Sequence, residues 1–273
     1  MSRVPTVVLN NGVEMPRLGF GVWQVPDEDA PDVVATALAA GYRKIDTAAA
    51  YYNEAGTGKG IAASGVDRAD VFVTTKVWNT DHGYDATLRA FDASLDRLGL
   101  DHVDLYLIHW PVPHQDRYVD TYRALERIYA DGRARAIGVS NFLEEHLDRL
   151  ADETSVVPAV NQIELHPQHQ QARARALHAE RGIVTEAWSP LGSGRGLLGD
   201  PVIGTIARKH GRSPAQVVLR WSLQLGNVVI PKSADPARIA ENTDLFGFTL
   251  DDEDMSAVAA LELGRPLGPA RKK

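Results

Sequence analysis

Apolar runs alternate with amphipathic stretches along nearly the whole chain, and three early runs end on polar side chains. They are Arg43-Lys44-Ile45-Asp46, Val71-Phe72-Val73-Thr74-Thr75-Lys76 and Val103-Asp104-Leu105-Tyr106-Leu107-Ile108-His109. Short apolar runs of this kind predict buried strands, and the amphipathic stretches between them predict helices. The run ends fall 30 and then 33 residues apart (46 to 76, 76 to 109). That is about one βαβ step, in which a helix returns the chain to start the next parallel strand beside the last. Asp46, Lys76 and His109 are therefore expected at one mouth of one sheet, the carboxyl-end face on which α/β proteins build their active sites.

The same pattern predicts the rest of the architecture. A strand over 18–22 is followed by a helix over 29–40, the strand ending at 46, a helix over 54–64, the strand ending at 76 and a helix over 84–98. Next come strand 103–109, helix 118–131, strand 134–139, helix 144–151, strand 159–163, helix 171–181 and strand 183–188. A glycine-rich loop, two helices within 201–225, strand 228–231, helix 236–246 and an additional helix over 251–261 complete the series. Gly41 and Gly65 stand just past helices, where a left-handed cap is needed. The first fifteen residues differ in kind: 6–15 reads as a β-hairpin around Asn11-Gly12, suited to covering one end of a barrel. Eight parallel-type strands, each followed by helix, predict a closed (β/α)8 TIM barrel with an N-terminal β-hairpin and extra C-terminal helices. An open doubly wound sheet more often has roughly five to seven strands.

Length agrees, since 273 residues suit one α/β barrel of about 250, and no low-complexity linker divides them. A single domain over 1–273 is expected, with 264–273 as an irregular tail. The absence of cysteine excludes thiol catalysis and cysteine-ligated metal centres. A net charge of −7 without long runs of either sign disfavours nucleic acid as a partner. No signal-type apolar core follows Met1-Ser2-Arg3-Val4-Pro5, and no apolar run approaches about 18 residues. The expectation is a soluble, monomeric cytoplasmic protein without a membrane partner.

Read in order, the strand ends give the inventory of the mouth: Trp23, Asp46, Lys76 with Trp78, His109 with Trp110, Ser140 with Asn141, Gln162, Trp188 with Ser189, and Lys232 with Ser233. Four of the five tryptophans fall near a strand end, which suits a planar cofactor or apolar substrate. Singly, each polar member has an ordinary explanation as a solvated cation, a helix cap or a structural histidine. Jointly, three of them on adjacent strands require those explanations to coincide at one place. Tyr51, five residues past Asp46, can reach over the same mouth. A phenol is a weak acid at neutral pH unless its phenolate is stabilised, and a buried lysine held charged by an aspartate does this. Asp46, Tyr51, Lys76 and His109 make a coherent proton-donor group without a metal.

Two other patterns mislead. Gly194-Arg195-Gly196-Leu197-Leu198-Gly199 matches G-x-G-x-x-G, but it begins six residues past the strand ending at Trp188, and about 20 residues on lies the Ser213-Pro214-Ala215 helix start; a Rossmann fingerprint follows its strand directly into a helix and has an acid at the next strand's end. His166-Pro167-Gln168-His169 suggests a metal pair, but the proline denies helical spacing and no third ligand is evident; no metal is expected.

Six ordered segments carry a resemblance: Ile45-Asp46-Thr47-Ala48-Ala49-Ala50-Tyr51-Tyr52-Asn53-Glu54, Thr75-Lys76-Val77-Trp78, Leu107-Ile108-His109-Trp110-Pro111, Gly138-Val139-Ser140-Asn141-Phe142, Asn161-Gln162-Ile163-Glu164-Leu165-His166-Pro167 and Ile230-Pro231-Lys232-Ser233. Together they resemble the aldo-keto reductase family, particularly its bacterial diketogluconate reductase branch, over essentially the whole chain. The resemblance implies NADPH-dependent reduction of aldehydes and ketones on a (β/α)8 barrel. It makes Tyr51 the general acid, Lys76 and Asp46 its tuning pair, and His109 the group that orients the carbonyl. Ser140, Asn141 and Gln162 would hold the nicotinamide carboxamide and Trp188 would stack on its ring. Ser189 and Leu191 would sit in a loop over the pyrophosphate, and Lys232, Ser233 and Arg238 would bind the adenosine phosphate beside Glu241 and Asn242. Trp23, Trp78 and Trp110 would form an apolar substrate wall. The two cations and hydroxyl at 232–238 independently suit a phosphate that NADP carries and NAD lacks. Two features depart from the family: Tyr52 stands where glycine is common, and the segment after Leu263 lacks a recognisable ending. Tyr52 leaves a non-enzymatic cofactor-binding barrel as the rival reading and the tail leaves substrate choice open; a metal-dependent barrel hydrolase, the second rival, lacks a carboxylate and histidine cluster at the strand ends.

Overall fold

The computed structural model describes residues 4–266; residues 267–273, most of the expected irregular tail, lie outside them. The hairpin forms as β1 (Thr6–Val8) and β2 (Glu14–Pro16), paired antiparallel with Val7 opposite Met15. Eight parallel strands follow: β3 (Phe20–Gly21), β4 (Lys44–Asp46), β5 (Phe72–Val77), β6 (Val103–Ile108), β7 (Ala134–Ser140), β8 (Val160–Glu164), β9 (Val184–Trp188) and β10 (Val228–Val229). They lie side by side in sequence order. The ring closes where the segment around β3 meets β10. Val229 N donates to Arg17 O at 3.0 Å, Gly19 N to Val229 O at 2.9 Å and Gly21 N to Pro231 O at 3.0 Å.

Helices return the chain between strands: α1 (Ala30–Ala39), α2 (Glu54–Ala63), α3 (Tyr84–Leu98), α4 (Tyr118–Ala130), α5 (Glu144–Glu153), α6 (Ala172–Glu180), α7 (Pro201–His210), α8 (Pro214–Gln224) and α9 (Pro236–Glu241). The additional helix is α10 (Asp252–Ala259). Gly41 and Gly65 adopt φ of +105° and +72° just past α1 and α2. The first and last strands are shorter than the sequence predicts. Leu18 is held to Val229 only by an isolated bridge, and Pro231 has no N–H to continue the ladder. The helix expected over 236–246 stops at Glu241, after which Leu245 turns into the core.

Two apolar regions result. The larger lies between the outer strand faces and the helices; the smaller fills the amino-terminal half of the barrel with Phe72, Leu105, Leu107, Ala136, Val160 and Val228. Leu9 and Met15 of the hairpin join this inner cluster, so the hairpin plugs that end. Asn10 and Asn11 tie it down through Pro158 O and Arg135 O at 3.2 and 2.9 Å. No helix among the described residues is long and apolar enough to cross a membrane.

α2 carries three glycines because its neighbours touch its backbone. A Cβ at Gly58 would lie 1.9 Å from Leu98 O. Helix propensity alone favours alanine there by about 1 kcal/mol, but a carbonyl at that distance cannot yield without moving α3. Gly58→Ala is expected to destabilise the fold by about 1–3 kcal/mol net, read as a lower denaturant midpoint at unchanged slope.

Two buried histidines make stability depend on pH. His82 and His178 are pushed down to about 4, by burial first and by Arg117 and Arg181 second. The unfolded chain takes up these protons below about pH 6.5, the native state only near 4, so stability present at neutral pH is lost as pH falls through that window. The loss is expected to reach at most about 3 kcal/mol per histidine. His178→Gln should remove about half of this contribution, and an unchanged slope of stability against pH would count against the assignment.

Candidate functional site

The strand ends converge as the spacing predicts. Lys76 Nζ lies 2.6 Å from Asp46 Oδ1 and donates to Thr47 O at 2.8 Å, with both charged side chains buried. Its ammonium sits 5.1 Å from the centroid of the Tyr51 ring. Desolvation pulls the Lys76 pKa down, but Asp46, Tyr51 and Glu186 outweigh it and raise the pKa above the ordinary lysine value. Lys76 is thus a permanent cation at neutral pH. The His109 ring packs edge-on against Tyr51 at 5.6 Å and against Trp78 at 5.0 Å, centroid to centroid.

Tyr51 is not on a strand, so its position depends on how the loop after β4 is held. A short 3-10 turn, Ala49–Tyr51, starts the return. Buried Asn53 then donates to Val22 O and Val25 O at 2.8 and 2.9 Å and accepts from Thr47 Oγ1 at 2.8 Å. Glu54, also buried, accepts from Thr75 Oγ1 at 2.5 Å and pairs with Arg97 at 2.6 Å. The loop is pinned to β3, β5 and α3 immediately after the tyrosine. Tyr52 has φ +56° and is 84% exposed, so most of its bulk goes to solvent and the turn carries the strain.

Below the strand ends lies a polar layer that the reading of strand ends missed. Gln162 Nε2 donates to Asp46 Oδ2 at 2.8 Å and to Glu186 Oε2 at 2.7 Å. Glu186 Oε1 lies 2.8 Å from Lys44 Nζ, an ion pair without hydrogen-bond alignment. Lys44 also donates to Thr74 Oγ1 at 3.0 Å. Lys44 and Glu186 stand two residues before Asp46 and Trp188, hence on the same inward face by strand alternation. That alternation was the signal available in the sequence.

One continuous cleft of about 2100 Å³ runs from Trp23, Tyr51, Trp78 and Trp110 past His109 to Lys232, Ser233, Arg238, Glu241 and Asn242. Ser140, Asn141, Gln162, Trp188, Ser189 and Leu191 line its middle, so the structure gathers the proposed site residues along one surface, except Lys76, which is buried behind it against Asp46. Trp188 Nε1 donates to Asn141 Oδ1 at 2.9 Å, while Asn141 Nδ2 donates to His109 O and Ser140 Oγ at 3.0 and 2.9 Å. With both amide hydrogens of Asn141 and of Gln162 engaged, the open atoms here are acceptors, a match for the NH₂ of a carboxamide.

At the far end the structure refines the phosphate argument. Asp235 Oδ1 accepts from Ala237 N and Arg238 N at the start of α9. The helix backbone is therefore already satisfied, and attraction for a phosphate rests on the Lys232 and Arg238 side chains. Asn242 is buried, and its Oδ1 has no partner among the described residues, an acceptor suited to the amino group of an adenine. Length, aromatic wall, cations and orphan acceptor all fit a phosphorylated dinucleotide.

The glycine string forms two short turns, Gly192–Gly194 and Leu197–Gly199, before Asp200 caps α7; it is a loop over the cleft. His166 is buried against Glu164 at 3.2 Å. No group of three or more histidines, aspartates or glutamates among the described residues could hold a metal. Gly264 and Pro266 reach the cleft. Among the described residues, the eight non-glycine residues with positive φ, from Gln24 to Ser193, lie in loops that follow barrel strands. Such strain gathers where a site must be held in shape.

Comparison with known proteins agrees with this geometry. The model of the Aldo/keto reductase family matches residues 17–263. An aldo-keto reductase of Mycolicibacterium smegmatis is 59% identical over 265 residues, covering 97% of this chain and 96% of the relative. The glyoxal reductase of Bacillus subtilis is 52% identical, covering 97% and 95%. The crystal structure of a Bombyx mori aldo-keto reductase in complex with NADP superposes with a TM-score of 0.92 at 36% identity, covering 99% of this chain and 96% of that one. The chain belongs to the aldo-keto reductase family, a family of NADP-dependent oxidoreductases acting on carbonyl groups.

Proposed function

We propose that this chain, read as one reductase unit over its whole length, reduces small aldehydes and ketones to alcohols with Tyr51 as proton donor. The observation that carries this reading is the buried Lys76 cation, fixed by Asp46 at 2.6 Å and facing the Tyr51 ring at 5.1 Å. NADPH, when bound, supplies a hydride to the carbonyl carbon. Ser140, Asn141 and Gln162 orient the carboxamide, and Trp188, locked by its bond to Asn141, presents a flat surface to the ring. Ser189 and Leu191 belong to the covering loop; Lys232, Ser233 and Arg238 take the adenosine phosphate, beside Glu241 and Asn242. Tyr51 gives its phenolic proton to the carbonyl oxygen, and Lys76 stabilises the phenolate left behind. His109, packed between Tyr51 and Trp78, sets the direction from which the oxygen approaches. Trp23, Trp78 and Trp110 exclude water from the reacting carbon and favour aromatic or aliphatic substituents. The same reading makes the protein a cytoplasmic monomer.

Loss of NADPH absorbance with a panel of carbonyls, with and without chelator, tests the activity. No turnover on any member would favour a cofactor-binding barrel without catalysis, and chelator sensitivity a metal-dependent one. Tyr51→Phe is expected to leave NADPH binding nearly intact and to lower turnover at least about a hundredfold; near-normal turnover would sink the mechanism. Lys232→Gly with Arg238→His should erode the preference for NADPH over NADH, and an unchanged ratio of kcat/KM values would refute the phosphate assignment.

A further inference from the structure

The Lys44–Glu186 pair is unexplained by the fold alone. Both side chains are fully buried inside the barrel, directly above a layer closed by Phe72, Leu105, Val160 and Val228. A buried ion pair is often no more stabilising than well-packed apolar residues of similar volume, and the layer beneath shows that such residues fill this barrel. The sheet nevertheless accommodates the pair. Glu186 stands in register with Gln162, and Gly19 leaves room for the lysine stem, since a Cβ there would lie 2.9 Å from Lys44 Cδ.

We infer that Glu186, charge-balanced by Lys44, is a positioning residue for this site. It fixes the Gln162 amide with its nitrogen toward Asp46 and its oxygen toward the cleft, and it shares with Asp46 the balancing of the Lys76 charge. This rests on the reading of Asp46, Tyr51 and Lys76 as the proton-delivery group. The amide nitrogen of Gln162 is held between two carboxylates at 2.8 and 2.7 Å, so both hydrogens are spent and Oε1 is the atom left for a ligand. Without Glu186 one hydrogen loses its acceptor and the amide gains freedom to turn. The charge on Glu186 also acts on Lys76, whose raised pKa owes part of its rise to it. The groups facing Lys76 are then Asp46 and Tyr51 from β4 and its loop, His109 from the end of β6, and Glu186 from β9, with Lys44 behind Glu186.

Three variants separate these effects. Glu186→Gln keeps an acceptor for Gln162 but removes the negative charge. Removing that charge favours deprotonated forms in the site, so the alkaline limb of the kcat/KM profile should move at least about half a pH unit toward acid. Lys44→Met with Glu186→Gln removes both charges and should return the limb to its original position. Lys44→Met with Glu186→Met removes the acceptor without stranding a charge. It should weaken NADPH binding at least about fivefold, the value of one hydrogen bond, while 2′-phospho-ADP-ribose, which lacks nicotinamide, binds as before. Should Glu186→Gln fail to fold, the two double variants decide the matter by the binding comparison. Parallel weakening of both ligands, no weakening of either, or an unmoved limb in folded Glu186→Gln overturns the inference. Near-normal turnover in Tyr51→Phe would instead overturn the underlying reading, and the binding comparison is independent of turnover.

Discussion

Two lysines and two carboxylates share the dry interior of one barrel, and the rest of the site depends on their neutrality as a set. Lys76 with Asp46 and Lys44 with Glu186 are each fixed by contact, and Gln162 links the two pairs. Removing one partner from such a pair costs on the order of 3–5 kcal/mol, because the remaining charge has nowhere to go. The arrangement is therefore rigid as well as neutral. A rigid lysine cation is what a tyrosine needs beside it to act as an acid near neutrality.

The two ends of the barrel solve different problems. At the amino-terminal end the hairpin places Leu9 and Met15 against the inner apolar cluster, and chain reversals after helices use glycines such as Gly41 and Gly65 at positive φ. At the carboxyl-terminal end, beside glycines such as Gly83 and Gly192, reversals at positive φ also use side-chain-bearing residues, Tyr52, Asn141 and Ser189 among them. A non-glycine residue at such φ costs of order 1–3 kcal/mol. Asn141 shows what the strain secures: its amide joins His109, Ser140 and Trp188, three separate strand ends. The stable end is built without strain, and the working end is strained and then pinned.

Much of this was legible in the chain because a parallel barrel is a repeat of short local units. Short apolar runs gave the strands, and glycines marked helix ends. The 30- and 33-residue spacing placed Asp46, Lys76 and His109 at one mouth without any knowledge of contacts. The boundaries that slipped were those of strands 18–22 and 228–231, whose pairing is with each other across the closure. Their extent depends on hydrogen bonds between residues more than 200 positions apart, which no local window contains.

The sequence by itself determined the order of elements, the face on which the site lies and the residue types available to it. Local propensity and periodicity act over one or two turns of chain, and that range suffices. Only the tertiary structure decided what those residues do to one another. It showed that Gln162 bridges Asp46 and Glu186, that Asp235 already occupies the start of α9, that Tyr52 points mainly to solvent, and that Lys44 has a partner at all. Each of these depends on distances across the barrel interior and on burial, which sets whether a charge meets water or another charge.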